Sequence, residues 1–215
     1  MGRGADVAYR YLSSDTHAEI CGFTVDAAFL TQDSFRGRKV VPFEQVESIY
    51  PPDEYMLFIP MGFQQMNKLR EQKYLASKEK GYKCFSYISS KVVSHDQIKC
   101  GENCFILENN TINFDVEIGN NVVIWSACQI GDLAVIEDHV WISSHAVLAG
   151  EVTVGRNSFL GVNATISNDV KIGQGSYIGA NALITKDTET NSVHVVEHTR
   201  KLPIDSNTFY KMMHK

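Results

Sequence analysis

From Ile106 onward every sixth residue is a branched aliphatic: Ile106, Ile112, Ile118, Ile124, Ile130, Ile136, Ile142, Leu148, Val154, Leu160, Ile166, Ile172, Ile178 and Ile184. If about one residue in three were Ile, Leu or Val, an unbroken run this long would arise on the order of once in millions of trials. Four residues after each stands a small or slim one, including Val116, Cys128, Ala134, Ala146, Ser158 and Ala182. A helix repeats every 3.6 residues and an isolated strand every 2. A strict six with one bulky and one slim inward residue therefore predicts a coil of short, flat strands, three strands closing a triangular turn of about 18 residues. Gly follows the aliphatic at Gly119, Gly131, Gly155, Gly161, Gly173 and Gly179, and Asn, Asp or Gly stands two further on at Asn121, Asn157, Asn163, Asp169, Gly175 and Asn181. These types tolerate the left-handed backbone of a tight corner. Nothing breaks the period between 106 and 184, so no long loop is expected to leave the prism there.

The register disposes of three cysteines. Cys100 takes the bulky inward phase and Cys104 and Cys128 the slim one, which makes them core filler rather than nucleophiles. With Cys21 and Cys84 the total is five, odd and scattered, which argues against a disulfide framework, and no second Cys/His pair stands at zinc spacing. No metal is expected. Residues 18 apart stack on one wall, and the outward ladder Phe105, Val123, Trp141, Phe159, Tyr177 is apolar throughout. A monomer rarely exposes such a stripe, so it reads as a self-association face; the alternative is that the N-terminal region or the C-terminal tail covers it.

The first ninety residues alternate strands with amphipathic helices. Gly2 opens a helix to about Leu12, 19–25 and 54–60 read as strands, 64–80 as a polar-faced helix and 84–88 as a last strand. That order is βαβ-like and implies a small, Rossmann-like, mostly parallel sheet. Gly2 and Gly4 at a helix start would let backbone N–H groups approach a diphosphate, and Asp26 stands where a ribose-binding carboxylate ends the second strand. A lone Gly-x-Gly is also an ordinary turn. The apolar strand that should precede it is expected ahead of Met1. Three parts follow: 1–90 as the Rossmann-like domain, 91–190 as the coil, and 191–215 as a tail whose 203–215 segment forms a short helix capping the prism end.

With 215 residues, 44% apolar and 21% charged, the chain can bury a real core. Its net charge of −5 gives no footprint for nucleic acid or anionic lipid, and no 18-residue apolar stretch or signal h-region occurs. The expectation is a cytoplasmic protein with no nucleic-acid or membrane partner.

The six-residue beat is the hexapeptide signature of a left-handed parallel β-helix. Together with 62–80 (GFQQMNKLREQKYLASKEK), 86–90 (SYISS), 101–106 (GENCFI), 142–145 (ISSH) and 159–165 (FLGVNAT), it makes the chain resemble the sialic acid O-acetyltransferase type of sugar acyltransferase and the related N-acetyltransferases of nucleotide-linked amino sugars. The resemblance implies a homotrimer with acetyl-CoA in the groove between neighbouring prisms and a small-molecule sugar or nucleotide sugar held by the N-terminal domain. It implies backbone contacts to the coenzyme at Gly161, Gly179 and Ala180, with Lys186, Arg200 and Lys201 as phosphate partners. In the family a histidine serves as general base where this chain has Asp132, and Gln129 and Leu133 also depart from the family pattern. An ordinary aspartate, with a pKa near 3.9, is a poor base for an alcohol near neutrality. Three readings remain: an amine acceptor with Asp132 orienting it or taking a proton late; a substitute histidine, His145 first and His139 second; or a non-catalytic sugar-nucleotide-binding or scaffold protein. His139 also suits its corner for backbone reasons alone.

Overall fold

The structure, a computed structural model, describes residues 2–214. Eighteen two-residue strands, from Tyr87–Ile88 to Val193–His194, stack into three flat parallel sheets of seven, six and five strands. Each strand pairs in register with the one a coil away, as Val123 with Trp141 and Ile124 with Ile142. We call the wall containing Phe105–Ile106 and Trp141–Ile142 the first, that containing Gln129–Ile130 the second, and that containing Val135–Ile136 the third. The coil thus starts a few residues before 91 and ends a few after 190.

The six-residue register accounts for the core. The fourteen aliphatics are at most 7% exposed and the slim residues at most 4%. Burying each large aliphatic is worth roughly 1.5–3 kcal/mol, so every added coil contributes a full apolar layer. The corner residues are left-handed as expected: Asn121, Asn157, Asn163 and Asp169 have φ between 57° and 59°, Asn181 60° and Gly175 68°. The same corner phase forces φ of 59–64° on Leu133, His139 and His145. The glycines after the aliphatics serve another purpose. A Cβ on Gly161 would lie 2.5 Å from the Ala180 nitrogen, so that position is small because the next coil stacks directly on it.

Before the prism lie α1 (Arg3–Asp15), β1 (Gly22–Val25), β2 (Ser34–Phe35), β3 (Arg38–Pro42), α2 (Val46–Ile49) and α3 (Lys68–Glu79). β1 runs parallel to β3, and β2 folds back antiparallel onto β3 through a tight Arg36-Gly37 turn, both residues at positive φ. That hairpin is not evident from the strand and helix periods. Residues 54–60 form no full strand; Leu57 makes a single parallel bridge to Cys84. The helix expected from 64 begins at Lys68, because Gln65, Met66 and Asn67 are all left-handed. The strand expected over 84–88 divides between that bridge and the first rung of the prism.

The apolar ladder is covered from within the chain, which corrects the self-association reading. Ala8, Tyr11 and Leu12 of α1, with Phe58, Met66 and Phe85, pack on Phe105, Val123, Trp141 and Phe159. The Phe63 ring centroid lies 4.6 Å from that of Phe159 and 5.4 Å from that of Trp141. The N-terminal region buries a small cluster of its own, Val41, Phe43, Val46 and Tyr82, and lays a second apolar face on this wall. The tail helix α4 (Ser206–Met213) forms, capped by the Asp205 carboxylate, but buries no residue and so does not pack as a lid on the prism.

Candidate active site

Two kinds of place on this scaffold can hold a small molecule: the seam between the N-terminal region and the first wall, and the open prism edges. In the seam, α3 seats its charged face on the edge between the third and first walls. Arg70, fully buried, donates to the carbonyls of His139 at 2.8 Å, Asn121 at 3.2 Å and Gly62 at 3.2 Å, and to the Asn67 side-chain oxygen at 2.9 Å. Burial holds its guanidinium at about 9, well below the usual arginine range. Periodicity carries no sign of this role, because Arg70 sits in a helix whose pattern is polar.

His139 belongs to the same network and is 3% exposed. Its Nδ1 lies 2.8 Å from Asn121 Nδ2, which can only donate, so the ring proton sits on Nε2, 3.4 Å from a Glu71 carboxylate oxygen. Burial lowers its pKa despite that carboxylate. With Tyr74 packed on one side, the imidazole offers no open face to a reactant, and its task is to dock α3.

Above this seam opens a cleft of about 1260 Å³, floored by Phe105, Val123, Trp125 and Trp141 and walled by α1, β1 and residues 57–62. Gly2, Gly4 and Asp26 all line it, so the structure brings the three residues read as nucleotide-binding together. Gly4 is sterically required, since a Cβ there would lie 2.1 Å from the Pro60 carbonyl oxygen, whereas Gly2 has open space around it. Asp26 is paired with Lys73 of α3, a partner the sequence reading missed.

The remaining candidates lie on the prism edges, and the six-residue phase separates them. His145, Gly161, Gly179 and Ala180 share the edge between the first and second walls; Asp132 and Lys186 share the edge between the second and third. Asp132, His145 and His139 thus lie on three different edges, and one copy of the chain cannot unite them. His145 is exposed, its amide bonded to the Ser126 carbonyl at 3.1 Å, and the Ser126 hydroxyl donates to Glu108 at 2.8 Å. Asp132 is exposed and accepts from the Phe114 amide at 3.1 Å through one oxygen, leaving the other open. Ala180 is exposed and its N–H has no main-chain partner among the described residues, so this edge can donate to an amide-bearing ligand. Lys186, Arg200 and Lys201 are exposed. Burial pushes the Cys128 thiol up to about 11, in keeping with its place in the core.

The bacterial transferase hexapeptide model (six repeats) matches residues 133–168 and 152–186. The solved structure of a histidine-to-asparagine variant of perosamine N-acetyltransferase from Caulobacter crescentus, in complex with CoA and GDP-perosamine, superposes with a TM-score of 0.77 at 24% identity, covering 89% of each chain. This is the fold of the hexapeptide-repeat sugar acetyltransferases. The acetyltransferase domain of PglB from Neisseria gonorrhoeae, in complex with acetyl coenzyme A, gives 0.76 at 19% identity, and WeeI from Acinetobacter baumannii 0.74 at 19%, each covering 89% of this chain and 91% of the other. The hexapeptide fold is therefore shared together with the smaller N-terminal part. Among the described residues no helix is long and apolar enough to cross a membrane, and no cluster of three or more His, Cys, Asp or Glu is arranged to hold a metal ion.

Proposed function

We propose that this protein transfers an acetyl group from acetyl-CoA to a bacterial surface-polysaccharide sugar or a nucleotide-linked amino sugar, in the cytoplasm, as a homotrimer. The observation that carries the reading is the extent of the likeness: 89% of this chain follows acetyltransferases solved with CoA or acetyl-CoA, N-terminal part and prism alike. The trimer rests on the edge geometry. If the edge bearing His145 in one copy meets the edge bearing Asp132 in the next, the contact is heterologous, and the smallest ring a heterologous contact closes has three members.

In this reading the pantetheine arm runs along the edge of Gly161, Gly179 and Ala180, where the free Ala180 N–H donates, and Lys186 faces the coenzyme phosphates. The nucleotide sits at the mouth of the cleft, at Gly2, Gly4 and Asp26. The acceptor attacks the thioester carbonyl carbon, the new C–N or C–O bond replaces C–S, and CoA leaves as the thiolate. An amine attacks in its neutral form, with Asp132 orienting it or taking a proton late and His145 polarising the acetyl carbonyl or holding the acceptor. A hydroxyl acceptor requires His145 as base.

The test is thiol release from acetyl-CoA with a panel of nucleotide amino sugars and sialic acids. Release with one acceptor class, and not without acceptor, supports the reading. Tight nucleotide binding with no release in any case favours instead the scaffold protein that has lost its base.

A further inference from the structure

We propose that the acceptor lies across the cleft in one fixed direction, its nucleoside end on Phe29 and Asp26 and its sugar end on the indole N–H of Trp125. This direction rests on the acetyl-transfer reading for the acceptor's being a nucleotide-linked sugar. The two ends of the cleft belong to opposite edges of the first wall. At one end Lys73 of α3 holds Asp26, and α3 is seated on the edge between the third and first walls. At the other stands Trp125, which follows the strand Val123–Ile124 at the edge shared with the second wall, the edge of His145. Lys73, Asp26 and Trp125 all line the one cleft. A molecule that fills it therefore has one end beside α3 and the other beside the edge that carries His145.

The α3 end has the parts for a nucleoside. Phe29 lines the cleft and is 68% exposed. The turn that carries it is closed by its own N–H on the Asp26 carbonyl at 2.8 Å and by the Ala27 N–H on a Glu44 carboxylate oxygen at 3.0 Å, so the ring is held outward before any ligand arrives. An aromatic face so placed takes a base by stacking, whichever base it is. Asp26 gives one carboxylate oxygen to Lys73, and the other has no partner among the described residues, which leaves it to accept from a ribose hydroxyl. The Lys73 ammonium, 4.1 Å from the Phe43 ring centroid, fixes the direction of that carboxylate.

The other end has a donor with nothing to donate to. Trp125 Nε1 is buried without a partner among the described residues, whereas Trp141, on the next coil, gives its indole N–H to the Ser143 hydroxyl at 3.3 Å. An indole nitrogen can only donate, and a buried one usually finds an acceptor. Because Trp125 borders the cleft, a hydroxyl or carbonyl oxygen of the acceptor's sugar is the partner it lacks.

The experiment is calorimetry with UDP, GDP and TDP and with the amino-sugar conjugate of each. Phe29→Ala should weaken the bare diphosphate and its conjugate alike, about tenfold or more, and Phe29→Trp should restore both. Trp125→Phe, which keeps the ring and removes the N–H, should leave the diphosphate unchanged and cut the affinity added by the sugar about tenfold. No binding of any of the six ligands, an unaffected Phe29→Ala, or a Trp125→Phe that weakens diphosphate and conjugate equally or neither overturns the proposal. Since binding alone is read, conjugates that bind as expected but release no thiol would contradict acetyl transfer and leave the direction standing. Thiol release with free sugars, and no nucleotide bound, would do the reverse.

Discussion

The Arg70 guanidinium donates to the His139 carbonyl at 2.8 Å, a contact that spans 69 positions and fastens α3 to a corner of the prism. Among the described residues no carboxylate pairs with this arginine, and its charge is met by carbonyl and amide oxygens. Replacing it with Leu strands those acceptors in a buried seam.

Arg70→Leu is therefore expected to cost about 3 kcal/mol or more, since each unpaired buried acceptor costs about 1–3 kcal/mol. Chemical denaturation measures the loss, and limited proteolysis should cut the first 86 residues while the prism resists. A change within experimental error would show that the seam does not depend on this group.

Trp141→Glu separates the two uses of an apolar ladder. Because Phe63 and the rest of the N-terminal region cover it, the charge should detach that region and cost at least about 3 kcal/mol, without dissociating copies. Light scattering that shows a fall in mass, with the N-terminal region still protected, would return the ladder to self-association.

His139 sets a pH dependence. Its folded pKa lies below the unfolded value of about 6.5, so the unfolded chain binds more protons as pH falls through that value, and stability drops from there downward. His139→Asn, which keeps a residue tolerant of positive φ, should flatten the stability profile just below about pH 6.5. A second, lower step should persist in the variant: hydrogen bonds from Ser90 and Tyr87 hold the Asp15 carboxyl well below the usual range, and that contribution is lost only as pH falls below about 4. An unchanged upper step in His139→Asn would remove the histidine as its source.

The legible part of this chain is the part with a strict period. Ile106 to Ile184 dictate the prism because one misplaced bulky residue would leave a layer either empty or overfilled. The N-terminal region is less legible, since its short strands complete themselves through the Arg36-Gly37 hairpin and through contacts with a platform distant in sequence. The candidate site was legible as a set of positions but not as an assembly. The period assigns Asp132 and His145 to corners of different edges, but it does not say which edge of another copy each of them meets. Arg70 left no signal, because a buried arginine satisfied by main-chain carbonyls resembles any other charged residue of a helix.

The most direct test of a site shared between copies is complementation. Asp132→Asn and His145→Ala should each reduce acetyl transfer about 10²-fold or more. When the two are unfolded, mixed one to one and refolded together, about a quarter of the interfaces pair an intact Asp132 with an intact His145, and about a quarter of the native rate should return. Two inactive variants that stay inactive after mixing would contradict a shared site, and so would a variant that is fully active alone.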